Sequence, residues 1–305
     1  MLKRREFVKS ATCSALALGL PLSLRAQSTP LHSMELAPGL SLVTGAGCNV
    51  VVAVGSDAVA VVDGGLREQA PALLQKINEL AAGKPVRTLF NSNWRPEHIG
   101  LNYLLGGSGL TIIAHENTRL WQTAEFRVEW EKRIYEPLPE MAQANQSFYT
   151  KGSLDLGSEV LDYGYLPQAH TDGDIYIYFR RANVLAVSDL LGATAYPILD
   201  YSTGGWIGGM QKATAALLDL ADDNTRIIAA EGPLQSRRDL EEQAVMLDKA
   251  REQVAQAYRS GYSLAQFKAS EPASDFGSRW GDPELFLTQL YEGAWGHVRE
   301  LGRII

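Results

Sequence analysis

The sequence predicts an α/β or α+β fold with four layers, in which two β-sheets pack between outer helices. Two observations lead to this prediction. Short runs of apolar and β-branched residues, separated by glycine-containing turns, alternate with segments that have helical i, i+3, i+4 periodicity. This pattern occurs twice along the chain, so each half is expected to supply one sheet and its own outer helices. Such an arrangement leaves a cleft along one edge of the sandwich.

The first half begins as a β-meander and continues with alternating strands and helices. Strands are expected at 40–43, 50–54, 58–62, 86–90 and 110–114. Apolar residues at helical spacing predict a helix over 70–80, which ends before Gly83, and a second helix over 99–105. Segment 115–153 is less regular. Its aromatic residues lie among charges, which is typical either of a helix that packs on the body or of a lid over the cleft.

The second half repeats the pattern. Strands are expected at 154–163, 175–179, 184–187 and 226–230. A helix is predicted over 210–220, and a long amphipathic helix follows Ser236, which is the expected N-cap with Asp239 three residues later. We therefore expect residues 27–305 to form one domain with a C-terminal helical extension.

Residues 1–26 have the features of a twin-arginine export signal. The basic residues Lys3, Arg4 and Arg5 precede an apolar run over 11–24, and small residues near Ala26 offer a cleavage site. Polar residues interrupt the apolar run, which is shorter than the roughly 20 residues needed to span a bilayer. We therefore expect the segment to be removed, with no stable membrane insertion afterwards and a periplasmic or secreted product.

Charge and cysteine content narrow the classes of partner. Loss of residues 1–26 would remove five basic residues and one acidic residue and change the formal net charge from −7 to −11. An acidic surface argues against a nucleic-acid partner. Cys48 would then be the remaining cysteine, so no intramolecular disulfide is expected. Because no basic residue lies near it in sequence, Cys48 is expected to be structural.

Five short motifs occur in an order that is typical of one family. They are 63–65 (Asp-Gly-Gly), 91–100 (Asn-Ser-Asn-Trp-Arg-Pro-Glu-His-Ile-Gly), 169–174 (Ala-His-Thr-Asp-Gly-Asp), 187–189 (Val-Ser-Asp) and 230–233 (Ala-Glu-Gly-Pro). In these motifs the chain resembles the metallo-β-lactamase superfamily. The resemblance implies a four-layer αββα sandwich with mixed sheets, a metal-dependent hydrolase site at the cleft and a small-molecule substrate or ligand.

The metal-binding loop departs from the pattern of that family, which reads Thr-His-x-His-x-Asp-His-x-Gly. Aligned on His98, the two early histidine positions hold Asn93 and Arg95, the aspartate position holds Glu97, and the late histidine position holds Glu231. A guanidinium has only donors and stays protonated, so it cannot bind a cation. We therefore expect the first cation position of the family to be empty, with Arg95 in place of the ion.

For the second cation, the resemblance implies the ligands Glu97, His98, Asp189 and Glu231. This set of three carboxylates and one imidazole is rich in oxygen, which favours Mn²⁺ or Fe²⁺ more than in the usual site, with Zn²⁺ as the third candidate. A buried group of carboxylates without a cation would need protons or paired cations. The expected cofactor is therefore one divalent metal ion, or none.

The candidate catalytic residues are Arg95, His170 and Asp189. Arg95 is expected to pair with Asp189 and to bind or polarise the substrate, and His170 is expected to carry a proton. Two interpretations remain open. In one, the protein is an exported hydrolase with at most one divalent metal that cleaves an ester, amide or phosphoester. In the other, it is a metal-free pseudoenzyme or a small-molecule binding module.

Overall fold

The computed structural model describes residues 30–277 and 279–301, so the expected signal segment lies outside the described residues. The strands are β1 (His32–Ala37), β2 (Leu40–Thr44), β3 (Val50–Val54), β4 (Val59–Val62), β5 (Val86–Phe90), β6 (Thr111–His115), β7 (Phe126–Val128), β8 (Arg133–Tyr135), β9 (Gln146–Phe148), β10 (Lys151–Asp155), β11 (Val160–Tyr165), β12 (Ile175–Phe179), β13 (Val184–Ser188) and β14 (Arg226–Ala229). The α-helices are α1 (Ala70–Leu80), α2 (Asn102–Leu105), α3 (Glu116–Thr123), α4 (Ile207–Leu220), α5 (Arg237–Arg259), α6 (Leu264–Ala269), α7 (Glu284–Ala294) and α8 (Val298–Leu301).

The strands form two large sheets and one small hairpin. The first sheet has the order β1-β2-β3-β4-β5-β6-β9, and the second has the order β10-β11-β12-β13-β14. Both sheets are mixed, because β4, β5, β6 and β9 are parallel neighbours in the first and β13 and β14 are parallel in the second. Strands β7 and β8 pair only with each other.

Three apolar clusters separate four layers of secondary structure. Along β3, Val50 and Val52 pack towards α1, whereas Val51 and Ala53 face the second sheet, as the two-residue period of a strand requires. The third cluster lies between the second sheet and helices α4, α5 and α7. The predicted α/β sandwich with mixed sheets and outer helices is therefore confirmed.

The long C-terminal helices form the outer layer on the second sheet. Helix α5 begins with the predicted capping box, in which Asp239 accepts hydrogen bonds from the backbone and hydroxyl of Ser236. Its buried residues include Leu240, Leu247 and Val254, at the helical spacing seen in the sequence. Within the part of the chain that the structure describes, no helix is both long and apolar enough to cross a membrane.

Two local predictions differ from the structure. The single strand expected over 154–163 is wrong, because Gly157, with φ +78°, turns the chain back and separates β10 from β11. The helix expected over 99–105 is regular only from Asn102. Segment 115–153 contains α3, the β7–β8 hairpin and the edge strand β9, so both a packed helix and a covering hairpin are present.

Candidate metal site and adjoining cavity

The candidate residues meet at one edge of the sandwich, where strands of both sheets end. Asp63 follows β4, the loop 91–100 follows β5, Asp189 follows β13 and Glu231 follows β14. His170 lies in the loop that leads into β12. Side chains far apart in the sequence therefore face one cleft, as is common at the ends of strands in α/β folds.

Asp63 holds the loop that carries His98. Its Oδ1 accepts the backbone N–H of Ser92 at 2.8 Å, and its Oδ2 accepts the Ser92 hydroxyl at 2.9 Å. Asp63 is 2% exposed and has φ +65°, a left-handed conformation that is uncommon outside glycine and that aspartate tolerates better than most residues. Through these contacts Asp63 orients the loop.

His98 lies between two carboxylates. Its Nδ1 is 3.0 Å from Oδ2 of Asp63, and its Nε2 is 2.8 Å from Oδ2 of Asp189. Burial alone would lower the pKa of His98, but the negative charges of Asp63 and Asp189 outweigh it and raise that pKa well above its ordinary value. These two contacts suit an imidazolium, which donates from both nitrogens and balances both carboxylates.

Asp189 also contacts the two other polar groups that flank the cleft. Its Oδ2 accepts a hydrogen bond from Nδ2 of Asn93 at 2.7 Å and lies 3.7 Å from Nε2 of His170. Burial would raise the pKa of Asp189, yet the nearby charges of His98 and Arg95 hold it far below its ordinary value. Asp189 is therefore an anion that several donors share.

The tautomer of His170 follows from its backbone contact. Nδ1 lies 2.9 Å from the carbonyl oxygen of Ile198, which can only accept a hydrogen bond. Nδ1 of the neutral ring therefore donates, and Nε2 is left as an acceptor that faces Asp189. Among the described residues, this Nε2 is one of the few buried polar atoms without a hydrogen-bond partner. Such an atom is suited to accept a proton or to bind a ligand.

Arg95 is anchored by the β7–β8 hairpin. Its Nη2 lies 2.6 Å from Oε1 of Glu131, and its guanidinium lies 5.5 Å from the Trp94 ring and 5.3 Å from the Trp130 ring. Trp130 in turn donates a hydrogen bond to Asp200 at 2.9 Å. The charge of Arg95 is therefore held by a carboxylate and two aromatic faces.

The expected direct pairing of Arg95 with Asp189 is wrong. The hairpin brings Glu131 closer to the guanidinium, and Oε2 of Glu97 lies 3.6 Å from its Nε. Burial would lower the pKa of Arg95, but Glu97, Glu131 and the more distant charge of Asp189 raise it above the ordinary value. Sequence reasoning could not supply Glu131, because its contact with Arg95 depends on how the irregular segment folds.

The first cation position of the related proteins does not fit an ion here. Oδ1 of Asn93 accepts the backbone N–H of Arg95 at 2.9 Å, and Nδ2 donates to Asp189. Both ends of the amide are thus engaged, and Arg95, at the second early histidine position, is a buried guanidinium that can only donate. This finding rests on the donor chemistry of the two side chains that replace histidine.

The second position fits one ion only after side-chain rotation. Glu97, His98, Asp189 and Glu231 face the same cleft, and the pKa of Glu231 is raised by burial and by the charges of Asp189 and Glu97. Oε2 of Glu97 is buried without a hydrogen-bond partner among the described residues. The donor atoms of the four are not all within 4.8 Å of one another. Glu97 is partly exposed and Glu231 is exposed, so a rotation of these two side chains is the change that a shared ion would require.

A different group is already assembled, and sequence reasoning missed it. In the described part of the chain, Cys48, Asp63 and His98 form the only group of three or more metal-ligating side chains whose donor atoms all lie within 4.8 Å of one another. Cys48 was expected to be structural because of its sequence neighbours, but His98 reaches it through the fold. Burial raises the pKa of the Cys48 thiol, and the nearby His98 opposes this shift.

A cavity of about 570 Å³ adjoins Glu97 on the outer side of the site. Its aromatic wall consists of Trp94, Tyr103, Trp121, Phe126 and Tyr135. Three of these rings, Trp94, Phe126 and Tyr135, contact one another with centroids 4.7–5.5 Å apart, so the hairpin is packed onto the body. The cavity has the size and the mixed lining of a small-molecule site.

Comparisons with known proteins agree with this architecture. The metallo-beta-lactamase superfamily matches residues 43–232 of the chain. A search of the curated proteins finds no match. Among solved structures, the chain is similar to a metallo-beta-lactamase from Pontibacter korlensis, at 15% identity and a TM-score of 0.59, over 72% of this chain and 99% of that one. DIM-1 metallo-beta-lactamase gives 14% identity and a TM-score of 0.58, over 72% and 98%.

A sulfatase is similar over a larger part of the chain. The stereoselective inverting sec-alkylsulfatase Pisa1 from Pseudomonas sp. gives 15% identity and a TM-score of 0.66, over 87% of this chain and 50% of that one. Identities this low establish the shared fold and leave the chemistry to the site residues.

Proposed function

Because the chain belongs to the metallo-β-lactamase superfamily, we propose that it is a hydrolase that uses at most one divalent cation. Glu97, His98, Asp189 and Glu231 would hold that cation. The proposal is supported mainly by the convergence of Nε2 of His98 and Oδ2 of Asp189, which lie 2.8 Å apart, because it brings two of the four donors to one point of the cleft. When bound, the ion would polarise an acyl or phosphoryl oxygen and lower the pKa of a water molecule.

His170 is the proposed proton carrier. Its Nδ1 donates to the Ile198 carbonyl, which fixes the ring and directs the free Nε2 towards Asp189. In this orientation Nε2 can take a proton from an attacking water and return it to a leaving group. Asp189 would stabilise the imidazolium formed in between.

Arg95 is proposed to bind the anionic part of the substrate. Glu131 holds Nη2, while Nη1 is buried and has no hydrogen-bond partner among the described residues. A guanidinium fixed on one side and free on the other offers a donor to a carboxylate, sulfate or phosphate group. Arg95 would thus supply the positive charge that an ion supplies at the first position of related proteins.

The substrate class is proposed from the cavity and the similar structures. Aromatic walls next to Glu97 suit a small molecule with an apolar part. The similar proteins are named as β-lactamases and as an alkylsulfatase. Amides, esters, phosphoesters and sulfate esters are therefore the substrates to test, and the acidic chain disfavours nucleic acid.

A specific observation favours a second candidate function, a metal-free binding module. His98 pairs with both Asp63 and Asp189, and Arg95 pairs with Glu131. These contacts balance the carboxylates without a cation, so the fold does not require a metal for electrostatic reasons. In this alternative the same cavity and Arg95 would bind a small anionic molecule without cleaving it.

Metal analysis of the purified full-length chain distinguishes the two functions. The hydrolase predicts about one Mn²⁺, Fe²⁺ or Zn²⁺ per chain, lost in Glu97→Ala and Glu231→Ala but kept in Glu129→Ala, a control at an exposed residue. Hydrolysis of the substrate panel should fall together with the metal content. Absence of metal and of hydrolysis in the parent protein would favour the binding module.

We also propose that the protein is exported by the twin-arginine pathway, on the basis of Lys3, Arg4 and Arg5 before the apolar run. Cell fractionation of the full chain tests this proposal. Arg4→Lys combined with Arg5→Lys should retain the chain in the cytoplasm. An unchanged periplasmic fraction in the double variant would contradict it.

A further inference from the structure

The cluster of Cys48, Asp63 and His98 lies on the inner side of the His98 ring, opposite to Asp189. Cys48 comes from the loop between β2 and β3, Asp63 from the end of β4, and His98 from the loop after β5. The three residues are 4%, 2% and 1% exposed. We propose that these three side chains form a buried cation site for a thiophilic divalent ion such as Zn²⁺, bound through Nδ1 of His98.

The donor types match such an ion. A thiolate, an imidazole and a carboxylate are the common protein ligands of Zn²⁺, and three of them leave a fourth position open. Bonds of about 2.0–2.3 Å place tetrahedral ligands roughly 3–4 Å apart. The 3.0 Å between Nδ1 of His98 and Oδ2 of Asp63 is in that range, and all three donor atoms lie within 4.8 Å of one another.

A hydroxyl is present for the fourth position. Oγ of Ser92 lies 2.9 Å from Oδ2 of Asp63 and 3.4 Å from Nδ1 of His98. Oγ of Ser188 is 2.8 Å from Oγ of Ser92. The pocket around Nδ1 is therefore polar on the sides that Cys48 does not cover, although the cluster is buried.

Charge balance favours the cluster of Cys48, Asp63 and His98, here called the inner cluster. The alternative ligands, here called the outer set, are Glu97, His98, Asp189 and Glu231. The Cys48 thiolate and the Asp63 carboxylate together neutralise a divalent ion, with a neutral imidazole as third ligand. A neutral group of this kind can be buried at a moderate free-energy cost, whereas an unbalanced buried charge cannot. The outer set has three carboxylates and needs the charge of Arg95 as well.

The hydrogen-bond partners of His98 also favour a cation in the inner cluster. A neutral imidazole donates through one nitrogen only, yet both nitrogens of His98 face carboxylates. A cation on Nδ1 would satisfy Asp63 while Nε2–H donates to Asp189. A neutral imidazole has one lone pair, so His98 binds either an inner cation through Nδ1, with Nε2–H donating to Asp189, or the outer cation of the proposed hydrolase through Nε2. The test below therefore distinguishes the two sites.

A path to the cluster exists beside Cys48. This residue lines an open cavity of about 490 Å³ together with Gly47, Asn49 and Glu231. The loop is held tightly, because Gly47 has φ +99° and a Cβ there would lie 2.4 Å from Cγ of Leu66. The inward position of Cys48 is thus set by the backbone, with an entry route from the cleft.

Titration of the full-length chain with Co²⁺ after chelator treatment tests this proposal. Cobalt bound by a thiolate gives a charge-transfer absorption band in the near ultraviolet, which oxygen and nitrogen ligands do not give. The parent protein should show the band with about one Co²⁺ per chain, and Cys48→Ser should lose it with at least about tenfold weaker binding. Glu231→Gln, the matched control in the same cavity, should keep the band.

Several results would overturn the proposal. They are the absence of the band in the parent protein, its persistence in Cys48→Ser, and uptake that depends on Glu231 but not on Cys48. The last result would at the same time support the outer ligand set of the proposed hydrolase. If Cys48→Ser does not fold, Cys48→Ala offers a variant without a buried hydroxyl, with folding checked by circular dichroism in chelator.

Discussion

The negative charge of Asp189 is balanced by different groups on its two sides. On one side, Asn93 donates to Asp189, and Arg95 is locked by Glu131 between two tryptophan rings. On the other side, His98 is shared between Asp189 and Asp63 and can be relieved by a cation. Side chains of the protein have therefore closed one metal position. The other position still depends on a proton or an ion.

The largest expected effect is the gain of a metal site on the side of Asp189 where Asn93 and Arg95 lie, here called the closed side. Asn93→His combined with Arg95→His would place two imidazoles next to the free Nε2 of His170. Three imidazoles form a competent site, so we expect about one additional Zn²⁺ per chain by elemental analysis. Asn93→His alone should bind none, because Arg95 remains. Unchanged metal content in the double variant would mean that the hairpin, and not Arg95, blocks the position.

On the side of Asp189 where His98 lies, Asp63→Ala is expected to be strongly destabilising. The change leaves His98 and the Ser92 backbone without their buried acceptor. Breaking a buried charged pair of this kind costs about 3–5 kcal/mol in the free energy of unfolding. Urea denaturation measures it, with Asp57→Ala at an exposed position as a control that should change by less than about 0.5 kcal/mol. A similar small loss in both variants would contradict the anchoring role of Asp63.

Removal of the carboxylate that holds Arg95 should have an intermediate effect on the free energy of unfolding. Glu131→Ala takes away the carboxylate that contacts Arg95 at 2.6 Å, while Glu97 remains at 3.6 Å. We expect a loss of about 1.5–3 kcal/mol, the usual contribution of a hydrogen bond to a charged group. Glu129→Ala on the same hairpin is exposed and should lose less than about 1 kcal/mol. Equal losses would show that Arg95 does not depend on Glu131.

The smallest expected effect is a change in how the free energy of unfolding depends on pH. It comes from Asp174, in the loop that carries His170. Burial raises the pKa of Asp174 to about 7. The folded state then binds more protons than the unfolded state between pH about 4 and 7, so this residue lowers stability as the pH rises through that interval. Asp174→Asn should remove a slope of at most about 1.4 kcal/mol per pH unit in denaturation series, whereas Asp57→Asn should not. A slope unchanged in the Asp174 variant would contradict the burial effect.

Much of the fold could be predicted because it follows from local patterns. The two-residue alternation of β3 and the capping box of α5 are visible in the sequence and are present in the structure. The single strand expected over 154–163 is wrong because an alternation of apolar and polar residues does not show where a glycine reverses the chain. Boundaries of this kind depend on which conformation the neighbouring strands stabilise.

The amino-acid pattern alone predicts the two sheets and their outer helices, and the motif around His98 shows that Asn93 and Arg95 replace histidine ligands. These features follow from periodicity and from donor chemistry, which hold wherever a residue lies. The pairing of Arg95 with Glu131 and the position of Cys48 beside His98 are visible only in the folded chain. Such contacts join segments far apart in the chain, so their distances are set by packing and not by sequence spacing.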